Sequence, residues 1–174
     1  MSLVQTPATE ILASLKRAGI TLVASLPDQW LGELIKCCDE DREITHVNLA
    51  REDDGVGVCA GAFLGGRKAA LICQSAGVLL SVNALAGMAF HHQIPFLILA
   101  AHRGCFDDGY YYQLYKGRTT VPVLDALGLP YYIIDGPEHF AVIEKAARQA
   151  FLMRLPLVLL LRRRALIPER EGSK

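Results

Sequence analysis

The chain alternates between short runs of apolar residues and longer segments in which apolar residues recur at helical spacing. The apolar runs predict strands at 21–26, 44–49, 69–74, 96–101, 131–134 and 157–161. The segments between them predict helices at 8–18, from Pro27 onward, and at 53–66, 76–90, 119–127 and 138–153. Strands and helices that alternate in this way indicate an α/β fold.

Each predicted strand is apolar over its whole length, which is typical of parallel strands buried on both faces of a sheet. We therefore predict an α/β three-layer sandwich, with a six-stranded and mainly parallel sheet covered by helices on both faces. The 174 residues fit one domain without a linker or a repeat. Its core is predicted at about 8–162, and a charged tail at 163–174.

The most unusual polar residues follow the predicted strands, at the edge where ligands bind in such sheets. They lie at 25–28, 48–54, 73–76, 101–103 and 135–136. The segment 102–116 contains His, Arg, Asp and four Tyr and has neither a strand period nor a helix period. It is predicted to be a long functional loop at the same edge.

Three carboxylates, Glu52, Asp53 and Asp54, lie where the second predicted strand meets a helix. Carboxylates in a first helical turn often do no more than complement the helix dipole, at about 0.3–1 kcal/mol each. Asp53 and Asp54 suffice for that purpose, whereas Glu52 lies at the strand tip and can reach into a cleft. On the residues alone, Glu52 is either a working carboxylate or a helix-start residue.

The segment from Gly55 to Ala60 fits the G-x-G-x-x-(G/A) pattern of dinucleotide-binding proteins. Three carboxylates stand where the pyrophosphate would bind, and no Asp or Glu between Asp54 and Asp107 could hold the ribose. Both observations argue against a dinucleotide. Because glycine costs about 1 kcal/mol inside a helix, the small residues of 53–66 and 76–90 instead predict close backbone packing, within the chain or against another subunit.

Other chemistries find little support in the residues. His91 and His92 lie near a predicted helix end, where imidazoles favour the dipole. Ser75 lacks the G-x-S-x-G elbow of serine hydrolases. No set of His, Cys and Asp has the spacing of metal ligands, so we predict no metal site built by this chain alone. His102 and Arg103 place a titrating group beside a fixed cation at a strand tip.

The composition indicates which binding partners and which cellular compartment to expect. The 18 basic and 18 acidic side chains balance, which predicts binding to neither nucleic acid nor an anionic membrane. No uncharged run approaches the ~20 residues of a membrane helix, and the N-terminus lacks the features of a signal peptide. The five cysteines show no C-x-x-C spacing. A cytoplasmic protein with reduced thiols is therefore expected. The Arg162–Arg164 run is interpreted as a solvated strand end or the rim of a partner contact.

Several short motifs, in this order and at these spacings, indicate a known family. They are Ser25-Leu-Pro27, Arg51-Glu52 with Gly55-Val-Gly57, Gln74-Ser75 with Asn83-Ala-Leu85, His102-Arg-Gly104, Gly117-Arg-Thr-Thr120 and Leu124-Asp-Ala-Leu127. From about Ile11 to Leu161, the chain resembles the pyrimidine-binding domain of thiamine diphosphate-dependent 2-oxo acid decarboxylases. It is most similar to the alpha subunits of sulfopyruvate decarboxylases and the matching region of phosphonopyruvate decarboxylases.

The resemblance implies a role for Glu52. The glutamate at this position in the family hydrogen-bonds the pyrimidine ring of the cofactor and thereby promotes proton loss from the thiazolium carbon. The resemblance also supplies candidates for two other tasks: Asp28 and His102 for proton handling, and Pro27, Gln74 and Ser75 for cofactor binding beside Glu52. The charges of Arg103 and Arg118 make them candidates, together with Ser25, for binding the anionic substrate.

The family holds the cofactor diphosphate and Mg²⁺ in a second domain that carries a Gly-Asp-Gly motif. This sequence contains no Gly-Asp-Gly. The resemblance therefore implies a separate beta subunit that binds them, an active site at the interface, and further self-association.

The implied reaction converts sulfopyruvate, a small 2-oxo acid, into sulfoacetaldehyde and carbon dioxide. Two alternatives stay open: a subunit that acts on phosphonopyruvate or another 2-oxo acid, and a non-catalytic assembly or regulatory subunit of the same fold.

Overall fold

A computed structural model describes residues 6–106 and 108–167, over which strands and helices alternate. The strands are β1 (Ile20–Ser25), β2 (Thr45–Asn48), β3 (Lys68–Gln74), β4 (Leu97–Ala101), β5 (Tyr131–Ile134) and β6 (Leu157–Leu161). The α-helices are α1 (Pro7–Arg17), α2 (Gly32–Glu40), α3 (Glu52–Leu64), α4 (Ser75–Leu80), α5 (Val82–Ala84), α6 (Leu114–Leu127), α7 (Ala141–Met153) and α8 (Arg163–Leu166). A π-helical turn spans Leu85–Phe90, and 3₁₀ turns span Tyr111–Gln113 and Pro137–His139.

The six strands form one sheet in the order β2-β1-β3-β4-β6-β5. Every neighbouring pair is parallel, so the predicted α/β class is confirmed and the sheet is parallel throughout. The chain moves from β1 outward to β2, then back past β1 to β3. The strand order therefore reverses at β1 and β3, and the crevice beyond the carboxyl ends at such a point is where α/β folds bind ligands.

Helices cover both faces of the sheet, as predicted. One hydrophobic cluster joins one sheet face to α1, α2, α7 and α8. A second cluster joins the other face to α3, α4, the π-helical turn and α6. In β4, for example, Leu97, Leu99 and Ala101 face the first cluster while Ile98 and Ala100 face the second. Strands buried on both sides explain why each one is an unbroken apolar run.

The second helix begins later than the sequence predicts. Residues 27–31 form an irregular turn, and α2 starts at Gly32. The reason lies in Asp28, whose carboxylate accepts a hydrogen bond from the Trp30 backbone N–H at 2.9 Å. Asp side chains that bind a backbone N–H two residues on favour a turn over a helix. Pro27 and Asp28 consequently stay at the carboxyl edge of the sheet.

The predicted loop at 102–116 is shorter than expected, because α6 already begins at Leu114. The loop and the helix cross at two glycines. Gly104 has a left-handed φ of 71°, and a Cβ there would collide with the backbone of Gln113. A Cβ on Gly117 would collide with the carbonyl of Gly104. Pro122 lies inside α6, which continues through it to Leu127.

Two further helical predictions need correction. The single helix predicted at 76–90 is divided into α4, α5 and the π-helical turn. The start of the predicted charged tail is ordered: α8 buries Ala165 and Leu166 against the first cluster. Residues 168–174 of that tail lie outside the described residues. None of the helices in the described ranges is long and apolar enough to cross a membrane.

The glycines of α3 and α4 fall into two groups: some are crowded by side chains of the same chain, and others face open space. A Cβ on Gly55 would come within 2.5 Å of Leu71, and one on Gly77 would collide with Glu52. At these two positions the glycine makes room for a side chain of the same chain, and not for the second backbone that the sequence predicts. A Cβ on Gly57 or Gly61 would meet no atom of the described structure within 4 Å.

We predict that Gly117→Ala lowers the free energy of unfolding by about 1–3 kcal/mol, because the added methyl group forces the loop away from α6. Gly32→Ala is the matched control, since a Cβ there meets no described atom within 4 Å. It should change the free energy of unfolding by less than ~0.5 kcal/mol. Urea denaturation of both variants tests this, and equal stabilities would contradict the proposed crossing.

Candidate active site

The carboxyl ends of β1, β2, β3 and β4 bring most of the predicted site residues to one edge of the sheet. Ser25 ends β1, and Pro27 and Asp28 follow it directly. Gln74 ends β3, and His102 and Arg103 follow β4. Parallel pairing of these strands places their ends side by side, which the sequence predicted.

Glu52 is the first residue of α3 and is buried, with 8% of its surface exposed. Its carboxylate forms no hydrogen bond or ion pair with any of the described residues. The side chain lies against Gly77 of α4, where a Cβ would come within 2.7 Å of Oε1. An ionised carboxylate taken out of water without a partner is costly, so this group is suited to a donor supplied from outside the chain.

The two neighbouring carboxylates face a different environment. Asp53 accepts two hydrogen bonds from Arg51, each at 3.0 Å, and the Arg51 guanidinium holds the pKa of Asp53 below its usual value. Asp54 is exposed. Both lie at the start of α3, where they complement its dipole. Among the three acidic residues, Glu52 is therefore the one that is buried at the edge of the sheet.

Gln74 and Ser75 sit where β3 passes into α4. The Gln74 Oε1 atom is buried and has no hydrogen-bond partner in the described structure. Ser75 is fully buried, and its hydroxyl accepts a hydrogen bond from the Arg103 backbone N–H at 3.2 Å. Ser75 thus joins the ends of β3 and β4, while Gln74 presents a free acceptor.

Arg103 is at the centre of a buried ion network. It donates to Asp28 at 2.7 Å and to Asp108 at 2.9 and 3.2 Å. Asp108 also accepts from the Gly104 N–H at 2.7 Å. Burial alone would raise the pKa of Asp108, but the hydrogen bonds from Arg103 and Gly104 outweigh it and keep the pKa below its ordinary value. The network ties the loop after β4 to the turn after β1.

Aromatic rings enclose the same guanidinium. Its central carbon lies 4.3 Å from the centroid of the Trp30 ring and 5.5 Å from that of Tyr110. Arg103 is 3% exposed, with two carboxylates and two aromatic faces around it. This arrangement favours a structural role for Arg103. It does not favour the direct contact with the substrate anion that the charge of Arg103 predicts.

His102 is 5% exposed, and neither of its ring nitrogens forms a hydrogen bond of ordinary geometry within the described structure. Burial lowers the pKa of His102, and the positive charge of Arg162 lowers it further. An interaction with the Gly117 backbone opposes part of this shift. The imidazole is therefore neutral near pH 7, with one N–H donor and one free acceptor.

Ser25 is fully buried and hydrogen-bonds His46 Nε2 at 2.8 Å, while His46 Nδ1 lies 3.0 Å from Asp39. The three side chains link β1, β2 and α2. The set resembles a Ser-His-Asp triad, but a fully buried hydroxyl offers no access to an acyl substrate. Ser25 therefore lies beneath the surface of the site.

The remaining candidates lie on the surface. Pro27 is exposed in the turn after β1. Arg118 is exposed on α6, and its guanidinium has no ion pair with the described residues. No group of three or more His, Cys, Asp or Glu in the described ranges is arranged to hold a metal ion.

A polar cleft opens beside the ion network. Its volume is about 530 Å³, and its lining comes from the turn after β1, the loop after β4 and the segment after β6: Gln29, Trp30, Gly109, Tyr110, Arg163 and Ile167. The cleft lies on the α2 and α8 side of the sheet, whereas Glu52 and Gly77 lie on the α3 and α4 side.

Sequence reasoning missed four residues that shape this edge. Asp108 lay within the segment predicted to be functional, and Gly77 within a helix noted for small residues, so both carried a signal. Trp30 was assigned to a helix face, although it packs on Arg103. His46 carried no signal, because its partners Ser25 and Asp39 are 21 and 7 residues away.

No model of a known protein family matches the chain. Individual proteins do. The chain is 34% identical over 145 residues to sulfopyruvate decarboxylase subunit alpha of Methanococcus maripaludis, covering 83% of this chain and 87% of that one. It is 33% identical to the sulfopyruvate decarboxylase of Methanosarcina acetivorans, covering 83% of this chain but 37% of that longer protein. Phosphonopyruvate decarboxylase of Streptomyces hygroscopicus is 31% identical, over 56% of this chain and 24% of its own.

Among solved structures, the chain is similar to a 2-oxoglutarate:ferredoxin oxidoreductase from Magnetococcus marinus, with a TM-score of 0.73. The match covers 97% of this chain at 15% identity. The chain spans about a third of that protein, 32% of its length. This likeness shows a shared fold and extends no further.

We predict that Arg103→Ala lowers the free energy of unfolding by about 3–5 kcal/mol, because it leaves Asp28 and Asp108 buried without their cation. Arg17→Ala is the control, since Arg17 pairs with Glu144 on the surface at 2.8 Å. Its loss should cost no more than ~1 kcal/mol. If urea denaturation finds the two variants equally stable, the network does not hold this edge together.

Proposed function

The chain belongs to the family of sulfopyruvate decarboxylase alpha subunits, and from this we propose that it is one half of a thiamine diphosphate-dependent enzyme. The proposed reaction releases carbon dioxide from sulfopyruvate and leaves sulfoacetaldehyde. The observation that carries the proposal is the buried Glu52 carboxylate, which lies on Gly77 without a hydrogen-bond partner among the described residues.

The residues around Glu52 fit the cofactor that the family implies. Thiamine diphosphate, when bound, supplies a thiazolium ring that accepts the electrons released as carbon dioxide leaves. An aminopyrimidine offers one ring nitrogen that a carboxyl group can hydrogen-bond and an amino group that needs an acceptor. The unpartnered Glu52 carboxylate and the buried, unpartnered Gln74 Oε1 meet these two requirements.

Glu52 has the task of holding a proton at the pyrimidine nitrogen. Glu52 is the first residue of α3, and its side chain packs closely on Gly77. Both features restrict the movement of the side chain and keep the carboxylate oriented. Pro27 and Ser75 support the same edge: Pro27 in the turn after β1, and Ser75 through its hydrogen bond to the strand end that carries His102.

Proton handling on the substrate falls to His102 and Asp28 in this proposal. A neutral imidazole can accept a proton at one nitrogen and donate from the other, and the lowered pKa of His102 favours that neutral form. Both Asp28 oxygens already accept hydrogen bonds, from Trp30 and from Arg103. Of the two residues, His102 therefore has the nitrogen atoms available for proton transfer.

The family names support sulfopyruvate over phosphonopyruvate as the substrate. Similarity to a sulfopyruvate decarboxylase alpha subunit extends over 83% of this chain, against 56% for a phosphonopyruvate decarboxylase. For the anionic head we propose Arg118, which is exposed and unpaired within the described structure. We propose supporting roles for Ser25 and Arg103, because both form buried hydrogen bonds with other side chains.

We propose that a beta subunit holds the diphosphate and Mg²⁺. Relatives named "subunit alpha" imply a partner, and the longer sulfopyruvate decarboxylase of Methanosarcina acetivorans contains the matching region in 37% of its length. Self-association is part of the same proposal. Gly57 and Gly61 face open space on α3. Glycine destabilises a helix relative to alanine, and no contact within the described chain requires it at these two positions. This supports the packing of a second copy against α3.

The site for the beta subunit is proposed to be the aromatic face, defined here as Phe106, Tyr110, Tyr111, Tyr112, Leu114 and Tyr115. Phe106 is 91% exposed and Tyr111 is 85% exposed. Clusters of exposed aromatic residues mark interaction sites, and tyrosine is enriched in the cores of interfaces. The aromatic face adjoins the loop that carries His102 and Arg103, so a partner docked there completes the same edge.

We expect Glu52→Gln to lower kcat of the reconstituted complex by about 10²–10⁴-fold, because an amide cannot exchange a proton with the cofactor. Asp53→Asn is the matched control one residue away, and it should keep nearly full turnover. Sulfoacetaldehyde formation measures both. Unchanged turnover in Glu52→Gln would refute the catalytic assignment and favour a non-catalytic assembly subunit.

For the aromatic face, we predict that the Phe106→Ser/Tyr111→Ser double variant raises the dissociation constant for the beta subunit about tenfold or more. Leu152→Ser is the control: Leu152 is 79% exposed near the end of α7, away from the carboxyl edge. Analytical ultracentrifugation or surface plasmon resonance gives the affinities. Equal affinity for the two variants would place the beta subunit elsewhere.

A further inference from the structure

His102 and Arg162 are neighbours across the sheet. The register of β4 and β6 pairs Ala101 with Leu161, and the His102 N–H continues the ladder to the Leu161 carbonyl at 2.8 Å. Ala101 and Leu161 face the first hydrophobic cluster, so the next residue on each strand turns to the opposite face. His102 and Arg162 therefore share the face that α3, α4 and α6 cover.

Asp135 extends this row by one strand. It follows β5, whose Ile134 pairs with Leu161, and it accepts a hydrogen bond from Arg162 Nη1 at 3.0 Å. Arg164 lies 3.7 Å from the same carboxylate and also pairs with Glu138. Asp135 thus engages one terminal nitrogen of the Arg162 guanidinium, and the Nε–H is left without a partner among the described residues.

Three buried polar atoms in this row lack partners. They are both ring nitrogens of His102 and the Nε of Arg162, none of which forms a hydrogen bond of ordinary geometry with the described residues; His102 has only the weaker interaction with the Gly117 backbone. A buried donor without an acceptor costs about 1–3 kcal/mol, and native structures therefore rarely leave one unpaired. Two of the three atoms are donors, the Nε–H of Arg162 and the single N–H of a neutral His102, and they indicate that an acceptor from outside the chain completes them.

The donors and the charge favour an oxyanion as that group. Arg162 contributes a charged N–H, and a neutral His102 contributes a second N–H beside it. Charged N–H donors bind oxyanions more strongly than they bind neutral acceptors. The Arg162 side chain is 42% exposed, so the row opens to solvent at the carboxyl edge.

We propose that His102 and Arg162 form an oxyanion subsite that holds the sulfonate group of the substrate. The inference rests on the proposed function and goes beyond it, because it assigns the head group to the end of β6 as well as to Arg118.

A binding experiment on the full chain tests the subsite without cofactor or beta subunit. The probes are methanesulfonate for the sulfonate and acetate for the carboxylate, and the signal is the nitrogen resonances of His102 in histidine-labelled protein. We expect methanesulfonate to shift these resonances saturably and acetate to shift them less. Arg162→Met should abolish the shift, and Arg163→Met, which alters the neighbouring arginine of the cleft, should retain it.

Each contrary result is decisive. No shift with either probe means that water alone completes these atoms and overturns the subsite. A larger response to acetate overturns the assignment to the sulfonate. If Arg162→Met does not fold, Arg162→Lys keeps the charge but removes the Nε–H donor, and it should weaken the shift.

Kinetics of the reconstituted complex separate this inference from the proposed function. Arg162→Met should raise KM for sulfopyruvate about 10- to 100-fold, as expected for a lost hydrogen bond to a charged group. An unchanged KM together with an inactive Glu52→Gln variant would refute the subsite and leave the proposed function intact. If instead the probe binds at His102 but the complex has no decarboxylase activity, the subsite is supported and the proposed function is refuted.

Discussion

The carboxyl edge of this sheet depends on one buried guanidinium shared by two carboxylates. Arg103 joins the turn after β1 through Asp28 and the loop after β4 through Asp108, while Trp30 packs against its face. Removing one partner from such a network leaves an uncompensated buried charge, so its members stabilise the edge only together. The segment that carries His102 is fixed by the same contacts, which links the stability of the edge to the geometry of the site.

The parallel sheet could be predicted because burial on both faces leaves a strong pattern. Every residue of β4 and β6 is buried, and both strands appear in the sequence as unbroken apolar runs. The start of α2 could not be predicted from periodicity, because a single Asp28 hydrogen bond holds residues 27–31 in a turn. The start of α6 depends on the crossing of Gly104 and Gly117, a contact between segments that no local pattern reveals.

The site residues that could be predicted are those that lie at the ends of strands. Glu52, Gln74 and His102 stand out as polar residues at the ends of apolar runs, and the parallel sheet brings those ends to one edge. Their surroundings could not be predicted, since Arg162 comes near His102 only through the order of the strands. Arg103 shows the limit most clearly: its charge suggested a substrate contact, whereas its folded environment pairs it with two carboxylates.

Unpaired polar atoms at the edge of a well-paired sheet explain why the chain is interpreted as half of an active site. Gln74 and His102 each present a buried atom without a hydrogen-bond partner of ordinary geometry among the described residues. The buried Glu52 carboxylate likewise forms no hydrogen bond or ion pair with them, and the central claim is that a bound cofactor completes Glu52. Hydrogen–deuterium exchange at the thiazolium carbon of the bound cofactor tests this most directly. We expect rapid exchange in the native complex and exchange slowed by orders of magnitude in Glu52→Gln. Equal rates in both would contradict the claim.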